Sequence, residues 1–112
     1  MKMVQAIIRP SSVNAVKDSL VAKGLKGMTV TEVRGFGRER GRTEIYRGAE
    51  CRTDFIRKTK IELIMEDDFV HEVVEANQAI TRTGQIGDGK SLIIPVENVV
   101  RIRTGETGMD AI

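Results

Sequence analysis

The sequence predicts an α+β fold in a single domain, 1–112, and three observations carry that prediction. Short β-branched runs alternate with two stretches of helical apolar spacing, in the order β-α-β-β-α-β. A chain of 112 residues is long enough for one domain with a core and too short for two. A densely charged segment, 37–57, interrupts the order between the second and third strands.

Each element has a local reason. Val4-Gln5-Ala6-Ile7-Ile8 is apolar, stops at Pro10 and reads as a strand. Ser11 and Ser12 are candidate caps for a helix whose apolar face is Val13, Val16, Leu20 and Val21, with Gly24 as its stop. Met28 to Val33 is rich in β-branched residues and reads as the second strand. Lys60 to Met65 alternates strictly and reads as the third, with Ile61, Leu63 and Met65 on one face. Asp67 or Asp68 can cap the next helix, striped by Val70, Val73, Val74 and Ile80. Leu92 to Val96 and Val99 to Ile102 read as short closing strands. The order is the ferredoxin-like arrangement, whose sheet carries both helices on one face. Met3, Ile7 and Ile64 fall on the other face, which predicts self-association.

Composition excludes several functions. Lys+Arg number 18 against 16 Asp+Glu, a formal charge of +2, so the chain is no polyelectrolyte partner for nucleic acid. Nor does it offer paired strand aromatics for stacking bases, since its aromatics are Phe36, Phe55, Phe69 and Tyr46. A lone cysteine, Cys51, rules out an intrachain disulfide and a cysteine-based metal cluster. No apolar run approaches the roughly 18 residues of a membrane span, and residues 1–5 lack a signal-peptide pattern. The expectation is a cytoplasmic protein with no direct membrane insertion.

Gly84-Gln85-Ile86-Gly87-Asp88-Gly89-Lys90-Ser91 fits the P-loop string G-x-x-x-x-G-K-[ST]. A P-loop follows a strand and opens a helix. Here a helical pattern precedes the glycines and an apolar strand follows them. The glycines still let backbone N–H groups approach an anion, and Lys90 adds a mobile positive charge. Arg101 and Arg103, two apart on a predicted strand, leave the same face, and Arg38 can join them. The features together favour a di- or triphosphate site. One alternative is a small P-loop-like ATP-hydrolysing enzyme or phosphotransferase. It lacks the strand-before-loop order, an identifiable base and a second magnesium carboxylate. His71, the only histidine, reads as a surface residue, and Cys51 as a loop thiol without a base.

The insert is too long for an idle connection in a compact domain, where loops beyond roughly 12–15 residues are generally functional or disordered. It mixes both charge signs: Arg38, Glu39, Arg40, Arg42, Glu44, Arg47, Glu50, Arg52, Asp54 and Arg57. This pattern reads as a flexible arm ordered by a ligand or partner.

Over essentially its whole length the chain resembles the PII nitrogen-regulatory signal-transduction family. The resemblance rests on Gly27-Met28-Thr29-Val30-Thr31-Glu32-Val33, Gly35-Phe36-Gly37-Arg38, Thr43-Glu44-Ile45-Tyr46-Arg47-Gly48-Ala49-Glu50, Lys60-Ile61-Glu62, Arg82-Thr83-Gly84, Gly87-Asp88-Gly89-Lys90 and Arg101-Ile102-Arg103-Thr104-Gly105-Glu106, in the family's order and spacing. It implies a homotrimer with ATP or ADP in the clefts between subunits. One subunit would supply Gly37, Arg38, Gly87, Asp88, Gly89 and Lys90; its neighbour would supply Thr29, Glu62, Ile64, Arg101 and Arg103. Magnesium and 2-oxoglutarate would meet Glu39 and Lys58. The insert corresponds to the family's T-loop, with Arg47 at the position that enters an ammonium transporter pore. The transporter, or another nitrogen-metabolism protein, is the implied target, and recruitment to the membrane through it is implied too.

Three departures from the family pattern stand out. Cys51 replaces the tyrosine that receives a nucleotidyl group in many members, and Ala49 has no hydroxyl to phosphorylate. Glu39 replaces a magnesium-binding glutamine; glutamate can ligate the ion but adds a negative charge beside anionic ligands. Ser91-Leu92 replaces a β-branched residue and an aromatic, a change expected to alter packing beneath the site.

Overall fold

A computed structural model describes residues 1–37, 43–46, 49–52 and 55–112, with 43–46 and 49–52 as backbone. Its elements are β1 (Lys2–Ile8), α1 (Val13–Ala22), β2 (Thr29–Gly35), β3 (Thr43–Tyr46), β4 (Ala49–Arg52), β5 (Ile56–Met65), α2 (Val70–Thr81) and β6 (Lys90–Pro95). The main sheet has the order β2-β5-β1-β6, and every neighbouring pair is antiparallel. This is the ferredoxin-like α+β arrangement expected from the residue pattern.

Alternation along β1 and β5 divides the sheet into two faces. Val4, Ala6 and Ile8 on β1, with Ile61, Leu63 and Met65 on β5, form one buried cluster with Val16 and Leu20 of α1 and Val73 of α2. Ile8, Leu20, Ile61 and Leu63 are the largest fully buried side chains. Burying a side chain of this kind contributes about 1.5–3 kcal/mol. The residues between them point the other way. Met3 stands between Ile64 and Ile94, Gln5 between Glu62 and Leu92, and Ile7 between Lys60 and Lys90. The open face is therefore a mixed surface, with Leu92 and Ile94 added to the expected Met3, Ile7 and Ile64.

Several details depart from the sequence reading. β5 begins at Ile56 rather than Lys60, because its ladder with β2 runs on through Lys58, Arg57 and Ile56 to Gly35. Neither helix has a side-chain cap. A 3-10 turn leads into each instead, Pro10–Ser12 before α1 and Asp67–Phe69 before α2. Asp67 pairs with the Met1 ammonium at 3.1 Å. Val21, placed on the buried face of α1 by its spacing, is exposed. Val99 to Ile102 is not a strand. Only Val100 bridges to Thr107, and a tight turn separates them. Gly105 N donates to Arg101 O at 2.8 Å and Arg101 N to Glu106 O at 2.9 Å. Gly105 and Gly108 have φ of +72° and +65°, left-handed values that break an extended run. Arg101 and Arg103 are thus turn residues, and the alternation that put them on one strand face does not apply.

Within the insert, β3 and β4 pair as a hairpin from Thr43↔Arg52 to Tyr46↔Ala49, where the sequence reading placed no strand. At its root, just beyond the Gly35↔Ile56 pair, Phe36 and Phe55 meet with ring centroids 6.2 Å apart at 56°. These are paired aromatics, but they lie past the strand ends and off the open face. Among the described residues no helix is long and apolar enough to cross a membrane.

Candidate functional site

The glycine loop links α2 to β6, and its shape is fixed by one carboxylate. Asp88 Oδ1 accepts from Arg9 Nη1 at 2.6 Å and from the Thr83 hydroxyl. Asp88 Oδ2 accepts the backbone N–H groups of Thr83 and Gly84, both at 2.8 Å. Arg9 Nη2 also donates to Ile86 O at 3.2 Å. The Arg9 guanidinium, aided by the Thr83 hydroxyl and the two N–H groups, holds the Asp88 carboxyl well below the usual carboxylate range. Asp88 is therefore turned into its own loop as a charged clamp. Arg9 and Thr83 had no assigned role in the sequence reading. Arg9 lies 79 residues from Asp88, and nothing local marks it.

Gly89 is required twice over. Its φ is +97°, and a Cβ there would stand 1.8 Å from Ile7 O. The loop thus lies against β1, and the next residue, Lys90, starts β6 opposite Ile7 on the open face. Lys58, on β5, donates from Nζ to Gly87 O at 2.8 Å, which ties the loop to the strand that returns from the arm. The fold thus gathers Gly87, Asp88, Gly89, Lys90 and Lys58 with Arg9 at one end of the sheet. Gly37 lies just beyond β2 and is exposed. Arg38, Glu39 and Arg47 lie outside the described residues.

Beneath the loop, on the helix side, Asn77 Nδ2 donates to Ser91 Oγ at 2.9 Å. Ser91 sits opposite Ala6, on the face toward the helices, and Leu92 opposite Gln5 on the open face. The unusual Ser91-Leu92 pair therefore changes both sides of β6: a polar contact to α2 on one, an aliphatic patch on the other.

A second region lies at the other edge of the sheet. Thr29 on β2 is registered with Glu62 on β5. Together with Ile64 and Arg101 they line an open groove of about 780 Å³, whose lining also includes Met28, Phe69 and Met109. Arg101 Nη1 stands 3.3 Å from Glu106 Oε1, and Nη2 donates to Ile112 O at 3.2 Å. Arg103 is exposed and makes no hydrogen bond or ion pair among the described residues. The predicted ligands thus fall in two groups. Thr29 and Lys90 stand on opposite edge strands, three strand spacings or roughly 14 Å apart, and Lys90 does not line the groove.

The groove carries both signs, with Lys23, Lys26 and Arg101 beside Glu62 and Glu66, whereas Lys90 and Lys58 stand at the glycine loop, whose one carboxylate is held by Arg9. Among the described residues no cluster of three His, Cys, Asp or Glu side chains could hold a metal ion.

The family model described as "Nitrogen regulatory protein P-II" matches residues 1–106. A nitrogen regulatory protein P-II of Azospirillum brasilense is 56% identical over 112 residues, covering 100% of both chains. Those of Microchaete diplosiphon and Mesorhizobium japonicum are 55% and 54% identical, again over 112 residues and 100% of both chains. The chain therefore belongs to the nitrogen regulatory protein P-II family, whose members signal by binding rather than by catalysis.

Proposed function

We propose that this protein binds ATP or ADP in a cleft made by two copies of the chain, and that the nucleotide sets the conformation of the charged arm. The observation that carries this reading is the division of the ligands between opposite edges of one sheet. The groove of Thr29, Glu62, Ile64 and Arg101 has apolar lining for a purine and a guanidinium for phosphate. The glycine loop and Lys90 offer a second anion cradle at the far edge. Neither half is a full nucleotide site, so a neighbouring copy completes each one.

The mixed apolar and charged open face supports that assembly. Met3, Ile7, Ile64, Leu92 and Ile94 give it apolar area, and Lys60 and Glu62 pair along β5 at 3.7 Å. A ring of three copies, as the family resemblance implies, closes the contact and creates three clefts. Asp88 then acts by holding the loop rather than by touching phosphate, while the N–H groups of Gly87 and Gly89, with Gly37, Arg38 and Lys90, face the ligand. Arg103 joins Arg101 from the neighbour. Magnesium would be taken by phosphate oxygens with Glu39, and 2-oxoglutarate by Glu39 and Lys58, which already lies beside Gly87.

ATP and ADP can reset the arm only by binding its conformations unequally. The arm, through Arg47, then engages or releases a nitrogen-metabolism protein, an ammonium transporter foremost. Engagement of a transporter would bring this protein to the membrane without inserting it. Limited trypsin digestion with ATP, with ADP and with neither tests the reading. Nucleotide-specific protection of the arm's arginines is the expected result; identical digestion in all three would sink it.

A further inference from the structure

Arg101 does not stand free beside the groove. Its guanidinium is engaged twice within its own chain segment, by Glu106 Oε1 at 3.3 Å and by Ile112 O at 3.2 Å. The turn that brings Glu106 there is closed by main-chain bonds, Gly105 N to Arg101 O and Arg101 N to Glu106 O. A further bond runs from Glu106 N to Thr104 Oγ1 at 3.3 Å. None of these needs the Glu106 side chain, so its carboxylate is spare as far as the local fold is concerned.

We propose that Glu106 is a built-in competitor that occupies Arg101 and is displaced by the phosphate chain of the ligand. This rests on the reading that Arg101 receives phosphate. A carboxylate and a phosphate want the same planar fork of N–H donors. A carboxylate left beside the incoming anion also opposes it through like charge. Both side chains are partly exposed, 34% for Arg101 and 45% for Glu106, so the pair is screened and weak enough to exchange. Glu106 thereby sets nucleotide affinity from outside the ligand set, and its effect scales with the charge of the phosphate chain.

The test is isothermal titration of the full chain and its Glu106→Gln variant with ATP, adenosine and inorganic tripolyphosphate. Removing the carboxylate is expected to tighten ATP and tripolyphosphate by roughly two- to fivefold, the scale of a screened charge pair, and to leave adenosine unchanged. The variant should also bind ATP with a steeper dependence on salt. Unchanged or weaker tripolyphosphate binding overturns the proposal, because Glu106 then props Arg101 instead of masking it. Equal tightening of adenosine overturns it too, since the effect would not lie at the phosphate end. If ATP fails to bind either protein, the nucleotide reading falls, while the tripolyphosphate comparison still decides the role of Glu106.

Discussion

At the scale of single residues, the glycine loop makes the sharpest demands. Gly89→Ala forces a side chain into a left-handed backbone and onto the Ile7 carbonyl. It should destabilise the fold by ~2 kcal/mol or more, read as a drop in the thermal midpoint. The Asp88 clamp gives a prediction in pH. Its carboxyl lies below the ordinary value of 3.8 in the folded chain, chiefly because of Arg9. A depressed carboxyl contributes stability that is fully present above its ordinary value and is lost as pH falls below it. Arg9→Met should therefore lower the thermal midpoint by a constant amount above about pH 5, and the gap to wild type should narrow in more acid buffer. A gap that does not change with pH would mean that Arg9 acts by packing alone. The sequence showed the glycines and Lys90, whose types announce their use. It did not show Arg9, because a partner so distant in the chain has no periodicity or spacing to reveal it.

At the scale of elements, the interior strands were the most legible. β1 and β5 are buried on one face, so hydrophobic alternation is strong and register follows from it. Leu63→Ala, at the centre of that face, should cost about 2–5 kcal/mol, measured by urea unfolding with an unchanged m-value. Bounds were read less well than faces: β5 starts four residues earlier than expected, and the mostly exposed edge strands β2 and β6 are each shifted by one or two residues at either end. The final segment failed for a different reason. Val99 to Ile102 has strand-like residues, but Gly105 and Gly108 turn the chain back within six residues, and local backbone geometry overrides propensity. The hairpin β3–β4 was hidden because the insert around it is densely charged and reads as one flexible arm.

At the scale of the whole molecule, the two-part cleft predicts complementation. Lys90→Ala and Arg101→Ala should each weaken ATP binding at least tenfold, on the scale of a lost charge-assisted contact. Co-assembled oligomers carrying both variants should regain tight sites, since one subunit keeps the lysine and its neighbour the arginine. Titration of the mixture checks this, and no regain would place both residues in the same copy's site. Ile94→Lys, on the open face beside Met3, should dissociate the assembly in sedimentation velocity. The Lys58 bond to Gly87 O has a consequence at this scale as well. Lys58 stands near the start of β5, the first strand after the arm, so a target that tugs the arm would pull on the glycine loop through that contact. Docking and ligand release are then two ends of one lever, and seizing the tip in a partner would alter how long the nucleotide stays.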